Sequence, residues 1–184
     1  MVEHMFNLVN FMAGPRLRVM IRLAKDPMKD FYQRELSRVS KVSIGATNQI
    51  LRQLAKLGFV TQEKRGRMYF YRLNLKNPVA RQFKILLSID GIYGLVREMA
   101  KNTRKIVLLG SSAEGTDVAE SDIDLFVLTD QKEYVRRKIS DFNRKSDRRI
   151  VPIIVDANEL VKMRRQDRPL YERIERGIVL WQEE

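Results

Sequence analysis

The chain has 184 residues, 44% of them hydrophobic, which is ample for one large or two small cores. It has no cysteine, so disulfides and thiolate metal sites are excluded, and a single histidine, His4, makes a histidine-based catalytic or metal centre a poor expectation. The net charge of +12 sits in residues 1–101, with 19 Lys and Arg against 7 Asp and Glu, whereas residues 102–184 hold 16 of each. Such a split points to a polyanion-facing first half and a second half with another task. No run approaches the roughly 20 apolar residues of a membrane span and no secretory leader is evident, so a cytoplasmic protein is expected.

Residues 1–13 are apolar and weakly patterned, and no element is assigned to them. Pro15 suits the first turn of a helix running through Leu17, Met20, Ile21 and Leu23 to Ala24, which Asp26-Pro27 ends. A second helix is expected over 31–39, with Asp30 as N-cap and Leu36 and Val39 on its buried side. Ser43 caps a third, from about Ile44 to Leu57, whose apolar positions Ile50, Leu51, Leu54 and Leu57 recur at helical spacing. Gly58 then suits a left-handed cap. Residues 59–63 and 68–73 read as two strands joined by Lys64-Arg65-Gly66-Arg67, a basic hairpin tip.

Three short helices followed by a basic hairpin describe a winged helix-turn-helix. The run from Val42 to Leu54, continued by Leu57-Gly58-Phe59-Val60, resembles the recognition helix and first wing strand of prokaryotic winged-helix regulators. With Tyr71-Arg72-Leu73-Asn74 it is similar to a two-domain family that fuses such a module to a minimal nucleotidyltransferase. The resemblance implies a recognition helix whose N-terminal part enters the major groove of double-stranded DNA, with Ser43, Gly45, Ala46, Asn48, Gln49 and Arg52 facing it. Asn and Gln can bond adenine edges and Arg can bond guanine, while Lys64, Arg65 and Arg67 on the wing would hold phosphates. A module used only for protein docking or dimerisation is the alternative.

Asn77-Pro78 opens a long helix to about Lys101. Ile85, Ile89, Ile92, Val96 and Met99 form an apolar stripe that Val79, Phe83, Leu86 and Tyr93 broaden, and Gly91 and Gly94 mark a bend or a close contact. Two readings stay open: packing against the chain's own domains, or a helix-mediated homodimer through residues 78–101. With no low-complexity linker in the chain, this helix is the expected joint between domains.

Lys105-Ile106-Val107-Leu108-Leu109 reads as a buried strand stopped by Gly110, and residues 121–128 alternate as a second strand. On that strand Asp122 and Asp124 share one face while Ile123, Leu125 and Val127 share the other. Two carboxylates so spaced, beside a glycine turn, repel unless a cation lies between them, which is the chemistry of a Mg²⁺ site completed by substrate phosphates. A basic amphipathic helix over 132–145, with Tyr134, Val135, Ile139 and Phe142 inward, precedes a strand over 150–155. Residues 159–163 then lie in a helix and 178–181 in a short last strand. Strands alternating with helices predict one small mixed sheet.

Gly110-Ser111, ten intervening residues and Asp122-Ile123-Asp124 resemble the signature of the polymerase-β-type nucleotidyltransferase superfamily, and Ala113, Gly115 and Ser121 to Leu125 fit its minimal branch. The resemblance implies nucleoside triphosphate contacts from Gly110, Ser111, Ser112, Gly115 and Ser121, and metal ligation by Asp122 and Asp124. Small residues let backbone N–H groups approach an anion closely, in keeping with that reading. Active members have a third carboxylate on a later strand, and residues 150–155 contain none. Asp156 follows directly as a candidate catalytic residue, yet Asp156-Ala157-Asn158-Glu159 is also a capping box, and Asp147, before the strand, is a poorer choice. Pro152 points to an edge strand or a bulge. Glu114 stands where the branch commonly has arginine and would repel a triphosphate, and Lys105 cannot be assumed to compensate.

The expected architecture is α+β, with a winged helix-turn-helix over 1–77, a linking helix over 78–101 and a minimal nucleotidyltransferase-like domain over 102–184. Two functions follow. One is a DNA-binding enzyme that uses Mg²⁺ to transfer a nucleotidyl group to an unidentified acceptor, such as a protein hydroxyl. The other is a regulator whose second domain senses nucleotide or metal without chemistry.

Overall fold

The structure is a computed structural model describing residues 14–183; the unassigned segment 1–13 and His4 lie outside the described residues. The described residues form eight helices and seven strands in two compact units that divide between Leu87 and Ser88, giving a mixed α+β chain with two small sheets.

In the first unit, α1 (Pro15–Lys25) starts on its proline as expected. The expected second helix begins later, because Phe31–Tyr32 forms a short strand, β1, ahead of α2 (Gln33–Ser40). α3 (Ile44–Lys56) follows, then the hairpin β2 (Val60–Arg65) and β3 (Met68–Leu73). β1 lies antiparallel to β3, with Phe31 opposite Tyr71, in a sheet ordered β1-β3-β2. Burying Phe31 completely under this pairing removes Asp30 from the cap position. Asp30 instead accepts from Arg72 Nε and Arg65 Nη2, each at 2.8 Å. Its carboxyl is accordingly held below the usual range, Arg72 being the main cause. Val39 is also not inward: at 36% exposure it yields its place to Val42, which follows the left-handed Lys41 cap and is buried. Val19, Leu23, Leu36, Ile50, Leu51, Leu54, Val60 and Leu73 complete the core.

α4 (Pro78–Ala100) contributes to both units in turn, and Asn77 Oδ1 caps it by accepting from the N–H groups of Val79 and Ala80. Ala80, Phe83 and Leu87 enter the first core, while Ile89, Ile92, Leu95, Val96 and Met99 enter the second. The broad apolar stripe expected on this helix is thus two faces used in succession. Val79, Leu86 and Tyr93, assigned to that stripe, are exposed.

The second unit is a four-stranded mixed sheet ordered β6-β5-β4-β7, from β4 (Lys105–Leu108), β5 (Ile123–Leu128), β6 (Ile150–Val155) and β7 (Ile178–Gln182). β5 and β6 run parallel, joined through α6 (Lys132–Asn143), and the other pairs are antiparallel. Pro152 sits on the edge strand, where its missing N–H costs least. One sheet face, with Ile106, Leu108, Leu125 and Val127, packs on α6 and the second half of α4. The other, with Val107, Leu109 and Phe126, packs on α7 (Ala157–Gln166) and α8 (Arg168–Glu175). Neither α8 nor the five-residue α5 (Gly110–Glu114) was expected from the sequence.

Candidate functional site

The chain reverses between β4 and β5 at Gly110, whose φ of +63° is a left-handed value that glycine alone adopts without penalty. Space demands glycine as well: a Cβ there would fall 2.4 Å from Asp124 Oδ2. Leu109 N–H donates to the Asp124 carbonyl at 2.9 Å, so the turn and the aspartate strand are fastened together. Asp124 shares the β5 face that carries Phe126, the side covered by α7 and α8. Asp122 precedes the strand and is exposed. The two expected carboxylates therefore stand at one strand end, beside the turn.

What surrounds Asp124 differs from a multi-carboxylate centre. Its parallel neighbour on β6 is Val151, which in this register presents its side chain on the same face. Arg173 of α8 places Nη2 3.3 Å from Asp124 Oδ2. Asp156 lies five residues beyond Val151, roughly 16 Å along the strand direction, at the opposite end of the sheet. Of the two roles open to it, the cap is the one it fills: Oδ1 accepts from Glu159 N–H at 2.9 Å, and Glu159 Oε2 accepts from Asp156 N–H at 2.9 Å. Lys132 Nζ also reaches Asp156 at 2.8 Å, holding its carboxyl below the usual range. Among the described residues, no group of three or more His, Cys, Asp or Glu side chains is placed to hold a metal ion. With valine as the third neighbour and a guanidinium on Asp124, the donor set does not fit a two-metal centre.

The loop between turn and strand is organised by Arg148, a residue not anticipated from sequence. Its Nη2 donates to Ser112 Oγ at 2.9 Å, Nε to the Ser121 carbonyl at 3.3 Å and Nη1 to Ser88 Oγ at 3.4 Å. Nη1 also pairs with Asp117 Oδ2 at 3.0 Å. Ser112 is buried on this arginine, and Ser121 Oγ accepts from Val118 N–H, so both hydroxyls are engaged within the loop. Gly115 is buried at the left-handed end of α5. Gly110 and Ser111, half-buried, are the expected phosphate contacts lying at the turn itself, while Glu114 is exposed and Lys105 pairs with Glu175 at 3.6 Å.

In the first unit, Thr47, Ile50, Leu51 and Leu54 form the buried face of α3. On the other face Gly45, Gln49 and Arg52 are exposed, and Ala46 and Asn48 are half-buried. Ser43 Oγ is engaged as the cap, accepting from Ala46 N–H at 3.3 Å. At the hairpin tip Lys64 and Arg67 are exposed. Arg65 is held down by Glu63, Asp30 and the Phe70 ring, 4.9 Å from its guanidinium, and so differs from the other two wing cations.

Residues 89–179 match the family described as Nucleotidyltransferase domain, a span running from the second half of α4 into β7. No curated protein matches the chain. Among solved structures, a candidate nucleotidyltransferase from Sulfolobus solfataricus is 19% identical, covering 56% of this chain and 87% of its own, with a TM-score of 0.38. The heme sensor PefR from Streptococcus agalactiae is 23% identical, covering 50% of this chain and 71% of its own, with a TM-score of 0.36. TrmBL2, an archaeal chromatin protein, is 15% identical over 92% of this chain and 70% of its own, with a TM-score of 0.32. No helix among the described residues is long and apolar enough to cross a membrane.

Proposed function

We propose that the protein is a regulator that binds double-stranded DNA through a winged helix over residues 14–77, and that its nucleotidyltransferase-like domain, residues 102–184, binds a nucleoside triphosphate without transferring a nucleotidyl group. The single observation carrying the second half of this reading is Val151 beside Asp124, on the later strand from which the resemblance would draw a third acid. Asp156, the sequence's other candidate, is occupied as a cap. Gly110 and Ser111 keep a turn of small residues beside that strand end, which supports retained phosphate binding. Incubation with α-labelled ATP, Mg²⁺ and cell extract is expected to label neither the protein nor any acceptor, while nucleotide binding persists by calorimetry. Label that disappears in Asp122→Asn and Asp124→Asn variants would restore the transferase reading.

For DNA, the exposed face of α3 is the groove-facing surface and the hairpin tip the phosphate contact. Lys64→Ala with Arg67→Ala is expected to weaken binding about tenfold near 0.15 M salt and to reduce the slope of log K against log salt by about 2. Arg65→Ala is expected to change that slope less, since its guanidinium is committed to Asp30 and Glu63. A response to salt that is flat in the unaltered protein sinks the DNA reading.

A further inference from the structure

Asp124 Oδ2 is the atom on which the candidate site turns. It lies 2.4 Å from where a Cβ on Gly110 would sit, and the same oxygen carries Arg173 Nη2 at 3.3 Å. A guanidinium therefore stands beside the glycine turn, at a carboxylate where a divalent cation would have to bind. Arg173 is half exposed, and a guanidinium has five N–H donors in a fork that matches phosphate oxygens. An ion pair this open to solvent exchanges partners readily. Asp124 has a cationic partner without a metal, the Arg173 guanidinium, and Arg149, whose carbonyl accepts from Ile123 N–H at 2.8 Å, lies at the same end of β6. Val151 supplies no further oxygen ligand.

We infer that Arg173 receives the polyphosphate of the nucleotide in place of a divalent cation, so that nucleotide binding here is independent of metal. The inference rests on the nucleotide reading above and names the group that holds the anion. An arriving phosphate displaces Asp124 from the guanidinium; no covalent bond forms or breaks. α8, which carries Arg173 and buries Ile174 against the sheet, is then the element that registers nucleotide occupancy.

The test uses the full chain and a fluorescent ATP analogue, titrated once in EDTA and once in millimolar Mg²⁺. The two dissociation constants are expected to agree within about threefold. Arg173→Ala is expected to weaken metal-free binding at least about tenfold, and Arg173→Lys, which keeps the charge without the fork, to fall between. Asp124→Asn keeps the shape of the side chain over Gly110 but removes a negative charge and releases Arg173, so binding is expected to tighten by about two- to tenfold. A metal centre requires the reverse sign for that variant. Binding seen only with Mg²⁺, binding lost in Asp124→Asn, or binding indifferent to Arg173→Ala overturns the inference and leaves the nucleotide reading standing. Absence of binding in both buffers overturns both. Melting of each variant followed by Trp181 fluorescence separates loss of the arginine from loss of the fold.

Discussion

Arg148→Ala is expected to destabilise the 88–184 unit by about 3 kcal/mol, because it takes the guanidinium away from a buried carboxylate whose desolvation it helps to offset. The buried member is Asp117, only 4% exposed, which pairs with Arg148 at 3.0 Å. The arginine side chain is itself 25% exposed, which places the effect at the lower end for buried pairs. Three further hydrogen bonds leave with the guanidinium, to Ser112, Ser121 and Ser88, so the connection between Gly110 and Asp122 loses its internal tie. Urea unfolding followed by Trp181 emission measures this: the chain has one tryptophan, and its Nε1 donates to the Thr103 carbonyl at 3.2 Å across the β4–β7 edge. Arg148→Lys retains charge but not the fork, and is expected to recover about half of the loss. A loss under about 1 kcal/mol for the alanine variant would mean that Asp117 does not depend on Arg148.

That the sequence pattern missed Arg148 and Arg173 has a physical cause. Both lie in strongly charged surroundings, Ser146-Asp147-Arg148-Arg149 and Glu172-Arg173-Ile174-Glu175, which locally read as solvated surface. The hydrogen-bond partners of Arg148 are 27 to 60 residues away and that of Arg173 is 49 away, so no short-range spacing announces them. α8 escaped for a related reason, since Ile174 is the only fully buried residue of its eight. The strands were legible because β-branched and apolar runs at Lys105–Leu108, Ile123–Leu128 and Ile150–Val155 are bounded by glycine, aspartate and charge.

Asp30 and Asp156 make the sharper comparison. Each is an aspartate directly before a helix-like run, and only Asp156 caps. Asp156 has its reciprocal Glu159 three residues on, a local signal the sequence displays. The choice at Asp30 is made by Arg72, 42 residues away, through the pairing of β1 with β3. The candidate site divides in the same way. Gly110 and Asp124 form a local motif and were readable, whereas the place of Asp156 follows from parallel register: residues at the start of β5 meet the start of β6, so the residue that follows β6 lies at the far end.

Two glycines show how a close approach differs in cost according to what is approached. A Cβ added at Gly177, between α8 and β7, would lie 2.5 Å from Val107 Cγ1, 2.6 Å from Leu109 Cδ2 and 2.7 Å from the Leu108 carbonyl oxygen. Leu108 is paired with Ile178 and Leu125 in the centre of the sheet, and Val107 and Leu109 are buried in the layer under α8, so none of the three can give way locally. Gly177→Ala is therefore expected to cost about 3 kcal/mol, at the upper end for overpacking. For a unit of this size that lowers the melting temperature by roughly 10–20 °C. At Gly110 the obstacle is the free end of the Asp124 carboxylate, which can swing aside, leaving mainly the strain of a positive φ. Gly110→Ala should cost about 1–2 kcal/mol while displacing Asp124 and spoiling the anion site. Calorimetric melts of the two variants, with nucleotide titrations beside them, check both effects: Gly177→Ala should show the larger thermal loss and Gly110→Ala the larger relative loss of binding below its melting point. Equal melting losses would mean that Asp124 is as rigidly held as the sheet backbone, and that its exchange between Arg173 and solvent is blocked.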